Sequence, residues 1–476
     1  MSSLIFLFFW NFEGDQARGF NNTRLTQSPW IAYSCYCEPF HWLWTMKKSI
    51  NDFLILQPAH KLFAVVFGFF FLINAVMLLS PPIRTKLEVV VSKVGGISIF
   101  SPFIRSDTAS HLRHAKHLGE SNFFSADGVK PSARRELLYP LFIASLYKAG
   151  IIKSFEMTND RNLVPVLLVQ FLLFSAAVFF LAMTYLPLIG TKLSLVAGTV
   201  LFMYIPISIN QYILMSEVFN IFFISLNLYL LSIFFKSKKQ KYLVLSFIVL
   251  ALLTYAKSIY LLYAVFLMMV LLFTKKAKYK PLLISISIFT LLISMWVIRH
   301  YAQFDRMVIM TTDGASSFYR GNIEPFSKPA HEYELKAANW GDDYSKTDIE
   351  KYDHYKDLIK KNILTKPIFE LVQSFVYKAM ILIGGDITKL ESGRKFIMFS
   401  FRLSFIIICL WAGIKYFPRT EIMWVLFAHA FYVTSIYTLF FAETRYSLPM
   451  RFTLFPLFIF GSLTILENIM KIIRPK

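Results

Sequence analysis

Cysteine is scarce. Cys35, Cys37 and Cys409 are the only three in 476 residues, which leaves no disulfide framework and no pair-of-pairs spacing for zinc. Acidic residues are outnumbered, 29 against 50 Lys and Arg, for a formal charge of +21. That excess would suit nucleic acid, but the lysines gather in short turns between apolar runs and leave no soluble basic face for phosphate contacts. Nucleic acid is therefore not an expected partner. No internal repeat is visible, which argues against the repeated halves typical of transporters. Residues 1–45 contain no apolar run of the ~20 residues a membrane helix needs. The short run Ser2–Trp10 lacks a basic n-region and a small-residue cleavage site, so it is a poor signal peptide. Met46-Lys47-Lys48, followed by the first long apolar run, reads as the functional start. Residues 1–45 are accordingly expected to be a dispensable extension, and 46–476 a single transmembrane domain.

What is abundant is hydrocarbon. Hydrophobic residues make up 56% and aromatic residues 17%, with a mean hydropathy of +0.52; soluble domains sit near ~45–50% apolar. Lipid is the implied solvent. Runs long enough to cross fall near 62–81, 163–186, 192–209, 216–235, 242–257, 258–274, 281–298, 396–416, 422–441 and 448–470. The fold class expected is an all-α polytopic membrane protein of about ten transmembrane helices. Two interrupted apolar segments near 137–150 and 367–384 read as interfacial helices.

Sidedness follows from the basic turns. Lys236, Lys238, Lys239 and Lys241 fill one, and Lys275, Lys276, Lys278 and Lys280 another. Lys415 with Arg419, and the tail Lys471, Arg474 and Lys476, supply two more. With ten crossings all four share a side with Met46-Lys47-Lys48, the cytoplasmic side by the positive-inside rule. Both termini are then inside, and two large loops, about 82–162 and 299–395, lie outside. Asp107, Arg134, Arg135, Glu217, Lys257, Arg299, His300 and Arg445 fall together at that outer side. Ionisable groups are costly at membrane depth, so their gathering at the ends of spans on one face points to a site.

The first outer loop reads Asp107-Thr-Ala-Ser-His-Leu-Arg-His-Ala-Lys-His117, then, after a Ser/Gly/Asp-rich turn, Ala133-Arg-Arg-Glu-Leu-Leu-Tyr-Pro140. Four further stretches follow in order: Met215-Ser-Glu-Val-Phe219, Leu253-Thr-Tyr-Ala-Lys257, Trp296-Val-Ile-Arg-His-Tyr301 leading to Thr312-Asp-Gly-Ala-Ser-Ser-Phe-Tyr-Arg-Gly-Asn322, and Glu443-Thr-Arg-Tyr-Ser-Leu-Pro449. Together they resemble the membrane glycosyltransferases of the GT-C class, in the bacterial branch related to protein O-mannosyltransferases and to the aminoarabinose transferase of lipid A. The chain departs from that pattern at Glu136, where the family often has Pro, at Lys257, where it has Arg, and at His300, where it has Asn.

The resemblance implies a GT-C fold and transfer of a sugar from a polyprenyl-phosphate donor to a lipid, glycan or protein acceptor on the periplasmic or extracellular side of a bacterial inner (plasma) membrane. Attack by an acceptor hydroxyl needs a base, and departure of a lipid phosphate needs cations. Asp107 is the expected base, with Glu217 as a second catalytic carboxylate. Lys257, Arg299 and Arg445, with Arg134 and Arg135, are the candidates for the donor phosphate, and His111, Tyr139, His300 and Tyr446 for sugar or acceptor contacts. Asp107 has a plainer reading as the cap of its helix. His111, His114 and His117 are where a divalent metal would be sought, but a three-residue step turns them around the helix instead of pairing them at i, i+4. A solvated face is expected for them, with neither metal nor other cofactor. A lipid-linked glycan polymerase or ligase is the nearest rival function, and a transporter the more distant one.

Overall fold

The computed structural model describes residues 59–80, 106–155, 160–204, 207, 209–274, 277–323, 346–384, 393–417, 420–442 and 444–473. Residues 1–45, Met46-Lys47-Lys48, Lys275, Lys276, Arg419, Glu443, Arg474 and Lys476 lie outside them, as do residues 324–345 of the second outer loop and the side chain of Arg445.

Every regular element among the described residues is helical. In chain order these are α1 (Ala59–Leu79), α2 (Ser106–Ser121), α3 (Leu138–Lys148), α4 (Asp160–Met203), α5 (Glu217–Ser237), α6 (Gln240–Ala256), α7 (Leu261–Phe273), α8 (Tyr279–Phe304), α9 (Asp313–Asn322), α10 (Asp348–Asn362), α11 (Ile368–Gly384), α12 (Gly393–Tyr416), α13 (Glu421–Leu439) and α14 (Leu448–Ile473). Among the described residues, six helical stretches are long and apolar enough to cross a membrane: Leu163–Met203, Glu217–Ser237, Tyr279–Phe304, Phe399–Tyr416, Glu421–Leu439 and Leu448–Lys471. Lys61–Val76, Gln240–Ala256 and Ser258–Phe273 are apolar but shorter. The long α4 is broken at Gly190, whose φ of 74° is open to glycine and strained for other residues, so the apolar runs on either side are distinct helices.

Packing couples α4 to α1, α5 and α14, and α5 to α6, while α6 meets α8. The core between them is aliphatic and aromatic, with Phe174, Val218, Leu228, Phe247, Leu250 and Phe452 fully enclosed. Because α5 runs away from Glu217 and α6 returns to Lys257, while α7 and α8 repeat the excursion, Glu217, Lys257 and Arg299 end at the same end of the bundle. The lysine-rich turn after α5 lies at the opposite end, where Lys238 approaches Glu421 at 3.9 Å.

The segment near 137–150 is the helix α3, which packs on α2 and buries Tyr139, Pro140, Ile143 and Ala144. This docking corrects one expectation. His111 and His114 are not on a solvated face: with Leu112 and Ala115 they form the buried side of α2.

Candidate functional site

The bend between the 124–132 turn and α3 carries Arg134, Arg135 and Glu136 toward the start of α2. Arg135 is the hub. Its Nη2 donates to Asp107 Oδ1 at 2.7 Å, its Nε donates to Ser110 Oγ at 3.0 Å, and its Nη1 lies 4.0 Å from Asp313 Oδ2. Arg134 Nε stands 3.8 Å from the other oxygen of Asp313. Burial alone would lower the Arg135 pKa, but Asp107, Asp313 and Glu136 outweigh it and raise it. For Asp313 burial pulls upward, and the guanidinium groups of Arg135, Arg134 and Arg320 outweigh it, so the carboxyl is held below its ordinary value. These are mutually ionised groups, which keeps Asp107 beside a fixed positive charge.

A second cation completes the cluster from the turn between α6 and α7. Burial opposes the charge on Lys257, yet Glu217 and Glu136, with smaller help from Tyr446 and Asp107, raise its pKa. Glu136 Oε1 accepts from the amide and hydroxyl of Ser258, at 3.2 and 3.1 Å, which pins that turn to the arginine bend. Glu217 is the first residue of α5, where a carboxylate is favoured by the helix dipole. Its Oε2 is buried and finds no hydrogen-bond partner among the described residues. An orphaned buried carboxylate oxygen costs free energy and is the kind of atom a ligand hydroxyl satisfies.

His111 belongs to the same neighbourhood. Burial first, and then Arg135, hold its pKa well below the ordinary value, so the ring is neutral and its buried Nδ1 is without a partner among the described residues. It meets Tyr139 edge to face, with ring centroids 5.1 Å apart. The Tyr139 hydroxyl, though, is turned to Gln170 Oε1 at 2.6 Å and lies inside the protein. Tyr446 stacks on Tyr437 with centroids 4.5 Å apart, and the Lys257 ammonium sits 5.9 Å from its centre.

Two expected site residues stand apart from this cluster. Arg299 lies over the Trp296 and Phe124 rings and donates to the carbonyls of Ser132 and Phe124, at 3.0 and 3.3 Å. His300 is buried, with Nδ1 on the Val308 carbonyl at 2.8 Å. Sequence reasoning missed Glu136, Asp313 and Asp348. Asp348, at the start of α10, accepts through Oδ2 from Ser132 Oγ at 2.7 Å and from the amides of Ala133 and Arg134 at 2.9 and 3.1 Å. Asp313 was within reach of sequence inference, since it lies in one of the quoted motifs; nothing local marks Asp348. No group of three or more His, Cys, Asp or Glu suited to a metal ion occurs among the described residues.

The arrangement can hold an anion near Lys257, present a carboxylate at Asp107 and offer acceptors at Glu217 and His111. In comparisons of the whole sequence, no protein-family model and no curated protein matches this chain.

Proposed function

We propose that the chain is a membrane glycosyltransferase that moves a sugar from a polyprenyl-phosphate carrier to an acceptor at the outer face of a bacterial inner membrane, with both termini cytoplasmic, about ten crossings and a GT-C fold. The observation that carries the reading is the meeting of Asp107, Arg135, Glu217 and Lys257, from four separate elements, at one end of an apolar helix bundle. In this reading the donor phosphate lies by Lys257, level with the lipid headgroups. The acceptor hydroxyl attacks the anomeric carbon, the bond from that carbon to the phosphate oxygen breaks, and the hydroxyl proton passes to Asp107. Lys257 stabilises the charge gathering on the departing lipid phosphate. Arg135 aims Asp107, and Glu217 binds a sugar hydroxyl through the oxygen that has no partner among the described residues.

The test is transfer from a radiolabelled polyprenyl-phosphate sugar in membranes holding matched amounts of each variant. Asp107→Asn preserves shape and helix-capping ability but removes the proton acceptor, whose contribution is typically ~10²–10⁴-fold. Near-normal turnover in that variant would reduce Asp107 to a structural residue.

A further inference from the structure

Glu136 is buried and takes no part in the transfer step. It follows Arg135 directly, so one bend of the chain brings a guanidinium to Asp107 and a carboxylate to the turn that ends α6. That turn is short. The helix α6 closes at Ala256, Lys257 is extended, with φ −154° and ψ 109°, and Ser258–Tyr260 form a 3-10 turn before α7 begins. The amide of Ser258 opens this turn, where the helix itself offers no acceptor. Glu136 Oε1 supplies one at 3.2 Å and takes the Ser258 hydroxyl at 3.1 Å as well, both charge-assisted. Tyr432, from α13, holds the turn farther along by donating to the Ile259 carbonyl, so Glu136 acts on the end next to Lys257.

Lys257 depends on its turn more than Arg135 depends on its bend. Arg135 is fastened to Asp107 by an ion pair at 2.7 Å. The Lys257 ammonium has Glu217, Glu136, Tyr446, Asp107 and His111 around it, yet no carboxylate among the described residues forms an ion pair with it. Where no ion pair ties the ammonium down, the backbone turn decides where it stands, and Glu136 anchors that turn to the arginine bend. We propose that Glu136 is a positioning residue: through Ser258 it sets where the Lys257 ammonium stands relative to the Arg135–Asp107 pair, holding the cation that meets the donor phosphate in register with the carboxylate that takes the proton. Its part in transfer rests on the transferase reading; its coupling to Lys257 does not.

The test is a double-mutant cycle in the transfer assay, with kcat and the KM for donor measured at matched inserted protein. Glu136→Ala should lower kcat about tenfold or more, since displacing a group by about an ångström can cost up to ~10². The KM for donor should change less, because Lys257 acts on charge that gathers as the phosphate departs. Glu136→Gln keeps an oxygen facing Ser258 and should recover most of the loss. In a Lys257→Gln background Glu136→Ala should cost no more than about twofold, the non-additivity of residues that act through one another. A fold merely loosened by Glu136→Ala would lose the same factor in both backgrounds, so equal losses, or a near-wild-type kcat in Glu136→Ala, would overturn the proposal. If Glu136→Ala does not insert, Ser258→Ala, which deletes one of the two donors, replaces it in the cycle, with a loss of about threefold expected beside Lys257 and none in Lys257→Gln. A second measurement needs no turnover. With the lysines of the full chain isotope-labelled by reductive methylation in nanodiscs, and the Lys257 resonance identified by its loss in Lys257→Arg, Glu136→Gln should move its titration to lower pH, because a neighbouring carboxylate helps an ammonium keep its proton. An unmoved titration would overturn the coupling. A wild type that transfers no sugar from any polyprenyl-phosphate donor, with the titration moved, would sink the transferase reading and leave Glu136 and Lys257 coupled.

Discussion

Asp348→Ala separates the role of α10 from that of the cations it helps to place. The Asp348 carboxylate receives a hydroxyl and two consecutive amides from a segment more than two hundred residues away, with N–O distances of 2.9 and 3.1 Å and an O–O distance of 2.7 Å. Each hydrogen bond to an ionised group contributes ~1.5–3 kcal/mol when both partners are desolvated. The site is only half-buried, so the three together are better placed at about 3 kcal/mol, with up to ~1 kcal/mol more from the lost charge at the helix start. An opening easier by about 3 kcal/mol raises amide exchange by about 10² at 1.4 kcal/mol per tenfold. Hydrogen exchange on the purified protein should therefore show the Ala133 and Arg134 amides losing about two decades of protection. Amides in the middle of α5 should not change. Asp348→Asn keeps an acceptor oxygen without the charge and should lose about one decade. Full protection of Ala133 and Arg134 in Asp348→Ala would refute the reasoning, because some other contact would then be holding the loop.

Gly321→Ala should unfold the corner where α9 meets the end of α13. A Cβ there would stand 1.7 Å from the Phe440 carbonyl oxygen, a backbone atom that cannot swing aside, so a loss of at least ~3 kcal/mol is expected in thermal unfolding, while Gly314→Ala, which meets only a ring atom at 3.8 Å, should be silent. The pH dependence of stability follows from His114, whose pKa burial lowers to about 4 from the ordinary 6.5. Between those values the unfolded chain binds the proton and the folded chain does not, so stability is full above pH ~6.5 and falls as the pH drops toward 4, by ~1.4 kcal/mol per unit or about 2 kcal/mol at pH 5; melting curves of His114→Gln should slope less steeply over this window, and an identical slope would count against the assignment.

The bundle was legible because a membrane helix announces itself by the length of its apolar run, and the runs at 216–235, 281–298, 422–441 and 448–470 reappear as helices within a few residues. The break in α4 was legible too, since Pro187 and Gly190 interrupt a run too long for one crossing. The face of α2 was not. His111 and His114 alternate with Leu112 and Ala115, a pattern too polar to read as a core stripe, and the docking of α3 and of the 124–132 turn covers it. There the histidines act as amphipathic packing groups, with His114 Nδ1 on the Ser110 carbonyl at 2.7 Å and Nε2 facing Ser132 Oγ at 2.9 Å. Asp348 was out of reach for a different reason. Its partners lie across an open stretch of chain, and no local spacing encodes such a pairing.

Lys257 and Arg299 illustrate the limit more sharply, because in sequence they are equivalent: each is a cation closing an apolar run. Their surroundings divide the labour. Lys257, a compact ammonium, ends in a turn faced by Glu217 and Glu136, so its charge stays directed at the cluster. Arg299 offers a plane as well as a charge, and the plane is used against Trp296 and Phe124 while two of its N–H groups fasten the carbonyls of Phe124 and Ser132. Two and three residues beyond Ser132 the same stretch of chain delivers Arg134 and Arg135, and Asp348 grips it by its amides. The arginine bend is therefore held between a half-buried cation on its carbonyls and a carboxylate on its amides, a brace of opposite charges that helps to orient the pair. Loss of Arg299 should thus act on the site through the position of Arg135, reaching Asp107 second-hand, whereas loss of Lys257 removes the charge that faces Glu217 itself.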